Sequence, residues 1–325
     1  MKKFLKHITY GLLFFVLINL LILLIYEYPA YKAIKNKTHK NYLKWNSIHT
    51  NKNTYELIVL GSSRCYTGFN PKIIDTELDI QSFNMGTSAQ DIAESYYALR
   101  EILDYQKPKY IVLGTFLNLS DNNHDYYQIF SNASFFNSTQ NKFDLITKGY
   151  GSKGIANYLV PLMKFNNYIK QDLISVFSNK PKVKRKQEKD WYKGYLKEKS
   201  IITQTEINNL KPTPNFSNTD FNKERFKNFF NKIYHLTKTK KIKLIVLRTP
   251  YPPSRLKISD NNDEENFYKK YMRSYKDVAY YDLNHYKTSL FKYKDEDFSD
   301  YHHANIEGAN KMSQQLVDII KYQLK

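Results

Sequence analysis

Two short stretches of the chain hold residue types that do chemistry together. "GSSR", Gly61 to Arg64, ends an apolar run and offers two hydroxyls, Ser62 and Ser63, beside a guanidinium. "DYHHANIEG", Asp300 to Gly308, sets a carboxylate and an imidazole, Asp300 and His303, three residues apart ahead of the last helical pattern. A serine hydroxyl becomes a useful nucleophile when a base takes its proton and a third group orients that base. An aspartate that orients a histidine is the second half of such a triad. Two other readings compete at the second stretch. Asn305 suits a helix N-cap, with acidic residues favourable close by. His302, His303, Asp300 and Asp297 are also metal-ligand types, but adjacent histidines seldom converge on one ion, so no metal or other cofactor is expected. A third stretch, "FNMGTSAQ", puts Gly86 at a strand-to-helix turn, where backbone N–H groups can face a developing oxyanion.

These loops need a scaffold, and the hydrophobic pattern describes one. Buried-type apolar runs at 56–61, 79–86, 109–116, 242–250 and 277–284 read as strands. Between them, 89–106, 221–241, 263–276 and 305–325 carry helical stripes; in the first, the apolar positions are Ile92, Tyr96, Leu99 and Leu103. Strands alternating with helices imply an α/β fold: a flavodoxin-like three-layer sandwich around a parallel sheet of about five strands. Ligands of such sheets sit beyond the carboxyl ends of the strands, where all three loops fall. From about 120 to 220 the alternation stops, and we read a long, partly helical insertion carried by the domain at 55–325.

The 325-residue chain bears a formal charge of +19, which suits an anionic partner such as an acidic polymer or lipid headgroups. It carries no zinc-finger spacing and no aromatic-basic signature of RNA binding, so nucleic acid is not an expected partner. Cys65 is the one cysteine, which rules out an intramolecular disulfide and a multi-cysteine metal site. It is expected to be buried and inert. It also stands where a Gly-x-Ser-x-Gly elbow would need its second glycine.

At the N-terminus, Lys2, Lys3 and Lys6 precede an uncharged run from Ile8 to Tyr26, close to the ~20 residues that span a bilayer. The lysines before it and Tyr26, Tyr28 and Tyr31 after it fit an inside-positive anchor with an interfacial aromatic belt. A cleaved signal peptide is the rival, with an apolar region usually of about 7–15 residues. We therefore expect a transmembrane anchor at 1–31, a basic linker at 32–54, and the remainder outside the cytoplasm.

The order serine first, Asp-x-x-His before the last helix, on a parallel-sheet pattern, resembles the SGNH (GDSL-like) hydrolase superfamily over about 55–119 and 221–325. The resemblance implies Ser63, rather than Ser62, as the nucleophile, with Asp300 and His303 completing the catalytic set. It also implies Gly86 as an oxyanion donor. The family's third block, Gly-x-Asn-Asp, is altered here to "GTFLNLSD", which shifts its asparagine to Asn118 and leaves Gly114, Thr115 and Asn118 as further oxyanion candidates. Arg64 would bind a substrate phosphate or carboxylate. The "GSSR" form and the N-terminal anchor look most like the extracytoplasmic branch, which includes the teichoic-acid D-alanylation protein D and alginate O-acetylation proteins. That branch implies acyl transfer on a cell-envelope polysaccharide or teichoic-acid-like polymer, beside a membrane-bound O-acyltransferase. A plain carbohydrate or peptidoglycan esterase and a non-catalytic accessory protein are the alternatives.

Overall fold

The computed structural model describes residues 1–28, 32, 35, 37, 39–115, 124–177, 191–210, 220–258, 262–287 and 290–323. They group into two compact units, Met1–Asn46 with Asp125–Gln187, and Ser47–His124 with Glu188–Lys325.

The second unit is built on a five-stranded sheet: β1 (Leu57–Leu60), β2 (Ser82–Asn84), β3 (Tyr110–Thr115), β4 (Lys243–Arg248) and β5 (Ala279–Asp282). Its order is β2-β1-β3-β4-β5, and every pairing is parallel. This is the expected flavodoxin-like arrangement, with its topological switch between β1 and β3. All four β1 side chains are buried, as a strand covered on both faces requires. Alternate residues serve opposite faces. Leu57, Val59, Val112, Ile245 and Leu247 pack with Met312, Leu316 and Ile319 of the terminal helix Ile306–Gln323. The intervening Ile58, Ile111 and Val246, also fully buried, serve the other face. On that side helices Ile92–Leu103 and Asp220–Thr239 meet through Tyr97 and Phe229, whose ring centroids are 6.2 Å apart.

The first of these helices starts later than its apolar pattern suggests, because Asp91 caps it by accepting the N–H of Glu94 at 2.9 Å. Helix Pro71–Leu78 joins β1 to β2 and has a local signature: Asn70 caps it, and Pro71 fills the first turn, where a missing N–H costs nothing. Part of the 32–54 segment is helical. Lys40–Thr50 is a helix whose Trp45 and Ile48 are buried.

The insertion is divided between the two units. Within it, a two-stranded hairpin, Trp191–Tyr192 with Tyr195–Leu196, belongs to the sheet unit. Its turn reaches β2, where Asn84 N–H donates to the carbonyl of Lys193 at 2.9 Å.

In the first unit, the N-terminal helix Lys2–Ile22 continues through a π-helical turn, Leu23–Glu27. Lys2–Glu27 is long and apolar enough to cross a membrane, with mean hydropathy 2.7. The same unit holds helices Tyr126–Ala133, Tyr150–Leu159, Pro161–Lys164 and Asn166–Phe177, and the last two contact the N-terminal helix. The contacts include a hydrogen bond from the Tyr26 hydroxyl to Asp172 and an ion pair of Lys164 with Glu27.

Candidate active site

β1 delivers its polar turn directly at the switch point. Gly61 takes φ +139°, and a Cβ there would lie 2.6 Å from Cys65 Sγ and 2.9 Å from the Gly114 carbonyl, so glycine alone fits. Ser62 follows in extended conformation as the N-cap of a short helix, Ser63–Tyr66. Ser62 is only 5% exposed, while Ser63 is half-buried, so the hydroxyl that reaches the loop side belongs to Ser63.

The partner loop is shaped by its own backbone. Phe298 and Ala304 form an antiparallel bridge, Ser299 N–H donates to the His303 carbonyl at 2.8 Å, and Asn305 N–H donates to Asp297. Asn305 then caps the terminal helix by accepting the N–H groups of Glu307 and Gly308. The capping reading and the triad reading thus describe adjacent residues of one turn. Within it, Asp300 Oδ1 accepts the backbone N–H groups of His302 and His303, both at 2.9 Å. Asp300 Oδ2 lies 2.7 Å from His303 Nδ1, and His303 Nε2 lies 2.7 Å from Ser63 Oγ. Carboxylate, imidazole and hydroxyl therefore form one continuous hydrogen-bonded line.

The electrostatics suit that line. Burial alone would raise the Asp300 carboxyl, but the hydrogen bond and charge of His303, with His302, hold it well below the usual carboxylate range. It stays an acceptor for the imidazole. Burial and the neighbouring His303, Arg64 and Arg255 bring His302 down to about 3, against the pull of Asp300. Its neutral ring lies tilted against that of His303, with centroids 4.0 Å apart and planes inclined by 59°.

Asp300, His302 and His303 also present ligand atoms within 4.8 Å of one another, as do Glu265, Asp282 and His285. In the first group Asp300 and His303 already face each other. Asp297, the further metal candidate of the sequence, is turned to Lys311 Nζ at 2.6 Å and to Lys294 N–H.

Arg64 does not sit as expected. It is 4% exposed, its Nη2 donates to the carbonyls of Thr249 (2.6 Å) and Pro250 (2.9 Å), and its guanidinium lies 3.7 Å from the Tyr251 ring. Rather than facing a substrate anion, it ties the Ser63–Tyr66 helix to the end of β4. Gly86 also departs from expectation, since its N–H donates to Asn84 Oδ1 at 3.1 Å. Gly114 packs against Cys65, where an added Cβ would lie 2.1 Å from Sγ, and Thr115 donates its hydroxyl to Leu247 O. Asn118 lies outside the described residues. Cys65 is buried, as expected.

Sequence reasoning missed two sources of support. Asn84, at the end of β2, donates to the carbonyls of Cys65 and Phe69, both at 2.8 Å, and so clamps the Ser63–Tyr66 helix and the residues after it. Its signal was a polar residue on a strand buried along its length. The segment after the hairpin supports the other loop: Ile202 N–H donates to Phe298 O and Ile306 N–H to Glu198 O. No periodicity marks that segment.

No family model matches the chain, and no curated protein matches it in sequence. Solved structures match along most of its length. A GDSL-like lipase from Bacteroides thetaiotaomicron VPI-5482 is 12% identical, with a TM-score of 0.43, covering 87% of this chain and 98% of that one. A protein assigned as an acylhydrolase from Bacteroides fragilis NCTC 9343 is 12% identical, with a TM-score of 0.39, covering 83% and 88%. One assigned to the lipolytic G-D-S-L family from Desulfitobacterium hafniense DCB-2 is 10% identical, with a TM-score of 0.40, covering 82% and 99%. At these scores and identities the likeness is loose, and the chemistry of the site rests on its own geometry.

Proposed function

We propose that this chain is a membrane-anchored, extracytoplasmic serine enzyme of the SGNH type that moves or removes O-acyl groups, acetyl or D-alanyl, on a cell-envelope polymer. The observation that carries the reading is the unbroken line Asp300–His303–Ser63, with links of 2.7 Å, at the switch point of a parallel sheet.

In this reading His303 Nε2 takes the Ser63 proton as Oγ attacks the ester carbonyl, while Asp300 holds the Nδ1–H and stabilises the imidazolium. The N–H groups that open the Ser63–Tyr66 helix face the oxyanion. The C–O bond to the leaving alcohol then breaks, the alcohol takes the proton from His303, and Ser63 carries the acyl group as an ester. Water or a polymer hydroxyl attacks that ester, with His303 again as base, and regenerates Ser63. Arg64 acts as a positioning residue. The anchor keeps the site beside the membrane, where a membrane-bound O-acyltransferase would be the partner in transfer.

The test is labelling by a serine-directed fluorophosphonate together with turnover of an aryl acetate, with and without sugar acceptors. Ser63→Ala should abolish labelling and turnover. Acceptor-dependent loss of free acetate would identify transfer, and acceptor-independent release the plain esterase. A folded wild-type protein that neither labels nor turns over, with envelope acylation intact in a Ser63→Ala strain, would favour the accessory protein.

A further inference from the structure

The insertion helices expose large apolar side chains: Leu159 is 68% and Phe177 85% exposed, with Leu173, Ile174 and Val176 also open. Leu162, Ile169, Leu173, Ile174 and Phe177 line an apolar groove of about 510 Å³. A bond to the N-terminal helix sets the level of this surface. Asn19, the one asparagine in that helix's uncharged run, is buried, and its Oδ1 accepts the N–H of Leu162 at 2.9 Å. Leu162 is in the first turn of helix Pro161–Lys164, where N–H groups have no partner within the helix and Pro161 has none to satisfy. Asn19 precedes Glu27 by about 12 Å at ~1.5 Å per residue, within the ~15 Å of one leaflet's hydrocarbon. At that depth a backbone donor needs a protein acceptor, since no water is available.

The polar groups beside Leu162 run back toward the end of the helix. Lys164 Nζ reaches Glu27 at 2.7 Å, the behaviour of a lysine that lays its stem along apolar surface and lifts its charge to the interface. The Tyr26 hydroxyl donates to Asp172 at 2.8 Å, and its ring stacks on Phe165, a placement suited to the headgroup level.

We propose that helices Tyr150–Leu159, Pro161–Lys164 and Asn166–Phe177 form a monotopic membrane element, whose apolar faces lie among the acyl chains of the leaflet nearer Glu27. Its partner is lipid hydrocarbon. The inference rests on the reading of Lys2–Glu27 as a bilayer span, in which Asn19 completes the backbone of a turn held inside the membrane.

The test uses the full chain, in a Cys65→Ala background, in vesicles of phosphatidylcholine with a minority of phosphatidylglycerol and acyl-chain spin-labelled lipid. Environment-sensitive fluorophores are placed through Leu159→Cys, Leu173→Cys and Phe177→Cys, with Leu13→Cys marking the span and Lys240→Cys the solvent. The expected result is quenching at all three insertion positions several-fold above the Lys240 control and comparable to Leu13. Quenching at Leu13 with the insertion positions at the solvent level would overturn the proposal and leave the span standing. Absence of quenching at Leu13 would overturn both. Asn19→Leu preserves the apolar run and removes the bond; it should lower quenching at position 159 at least two-fold, and unchanged quenching there would overturn the role given to Asn19.

Discussion

His303 Nε2 and Ser63 Oγ lie 2.7 Å apart although 240 positions separate them in the chain. Each residue is brought there by a different feature, Ser63 by the turn that ends β1 and His303 by the bridged loop before the terminal helix. Such a contact costs loop-closure entropy that the folded sheet must offset, and it places an acceptor on the one half-buried serine of the turn.

Replacement of either end of the line should separate catalysis from folding. Ser63→Ala and Asp300→Asn are expected to lower kcat on the order of 10³-fold or more, as removal of a triad member does. Circular dichroism and thermal midpoints should stay close to wild type for Ser63→Ala. A variant of normal turnover would remove Ser63 from the chemistry.

Much of this was legible in the sequence, for reasons that differ by element. The strands at 57–60, 110–115 and 243–248 are covered on both faces, so each reads as a continuous apolar run. Asp300 and His303 are close in sequence and share one turn, so their pairing is a local property. Arg64 was misread because a guanidinium's hydrogen-bond acceptors do not appear in its neighbours: they are the Thr249 and Pro250 carbonyls, 185 and 186 positions away. The Asn84 clamp escaped for the same reason, since it recognises backbone carbonyls and no side-chain type announces them.

Arg64→Lys tests its positioning role. The ammonium cannot reproduce the planar fork over Tyr251 that also reaches two carbonyls. The expected outcome is a fall in kcat of about 10²-fold, the scale of a small displacement of a reacting group, with KM changed less than about two-fold. A rise in KM at unchanged kcat would return Arg64 to substrate binding.

Gly114 and Cys65 should be coupled in stability. Gly114→Ala drives a methyl to 2.1 Å from Cys65 Sγ, while its other neighbours, Leu60 O and Thr249 Cγ2, are at 3.6 and 3.8 Å. The single substitution is expected to cost about 1–3 kcal/mol, as overpacking does. Addition of Cys65→Ala should recover most of that loss. A double-mutant cycle in urea with no coupling beyond ~0.5 kcal/mol would show that the two do not share the site.

His302 makes an acid-sensitive contribution. Between the ordinary histidine value of about 6.5 and its own value of about 3, the unfolded chain holds a proton that the folded chain does not. Stability therefore falls as pH falls through that window. His302→Gln removes the titration, so its urea midpoint should drop less than wild type's between about pH 7 and about pH 4.5. Equal drops would show that His302 is protonated as easily in the fold as out of it.

The hairpin turn that meets Asn84 has a consequence for self-association. An outer strand with open donors and acceptors is a template on which a second molecule can extend the sheet. Lys193 supplies its carbonyl to the Asn84 N–H, and its ammonium holds Asp75 and Gln81 beside the strand, each at 2.6 Å. The β2 border is thereby closed along its last residue. A second molecule extending the sheet at that point would first have to displace the hairpin turn.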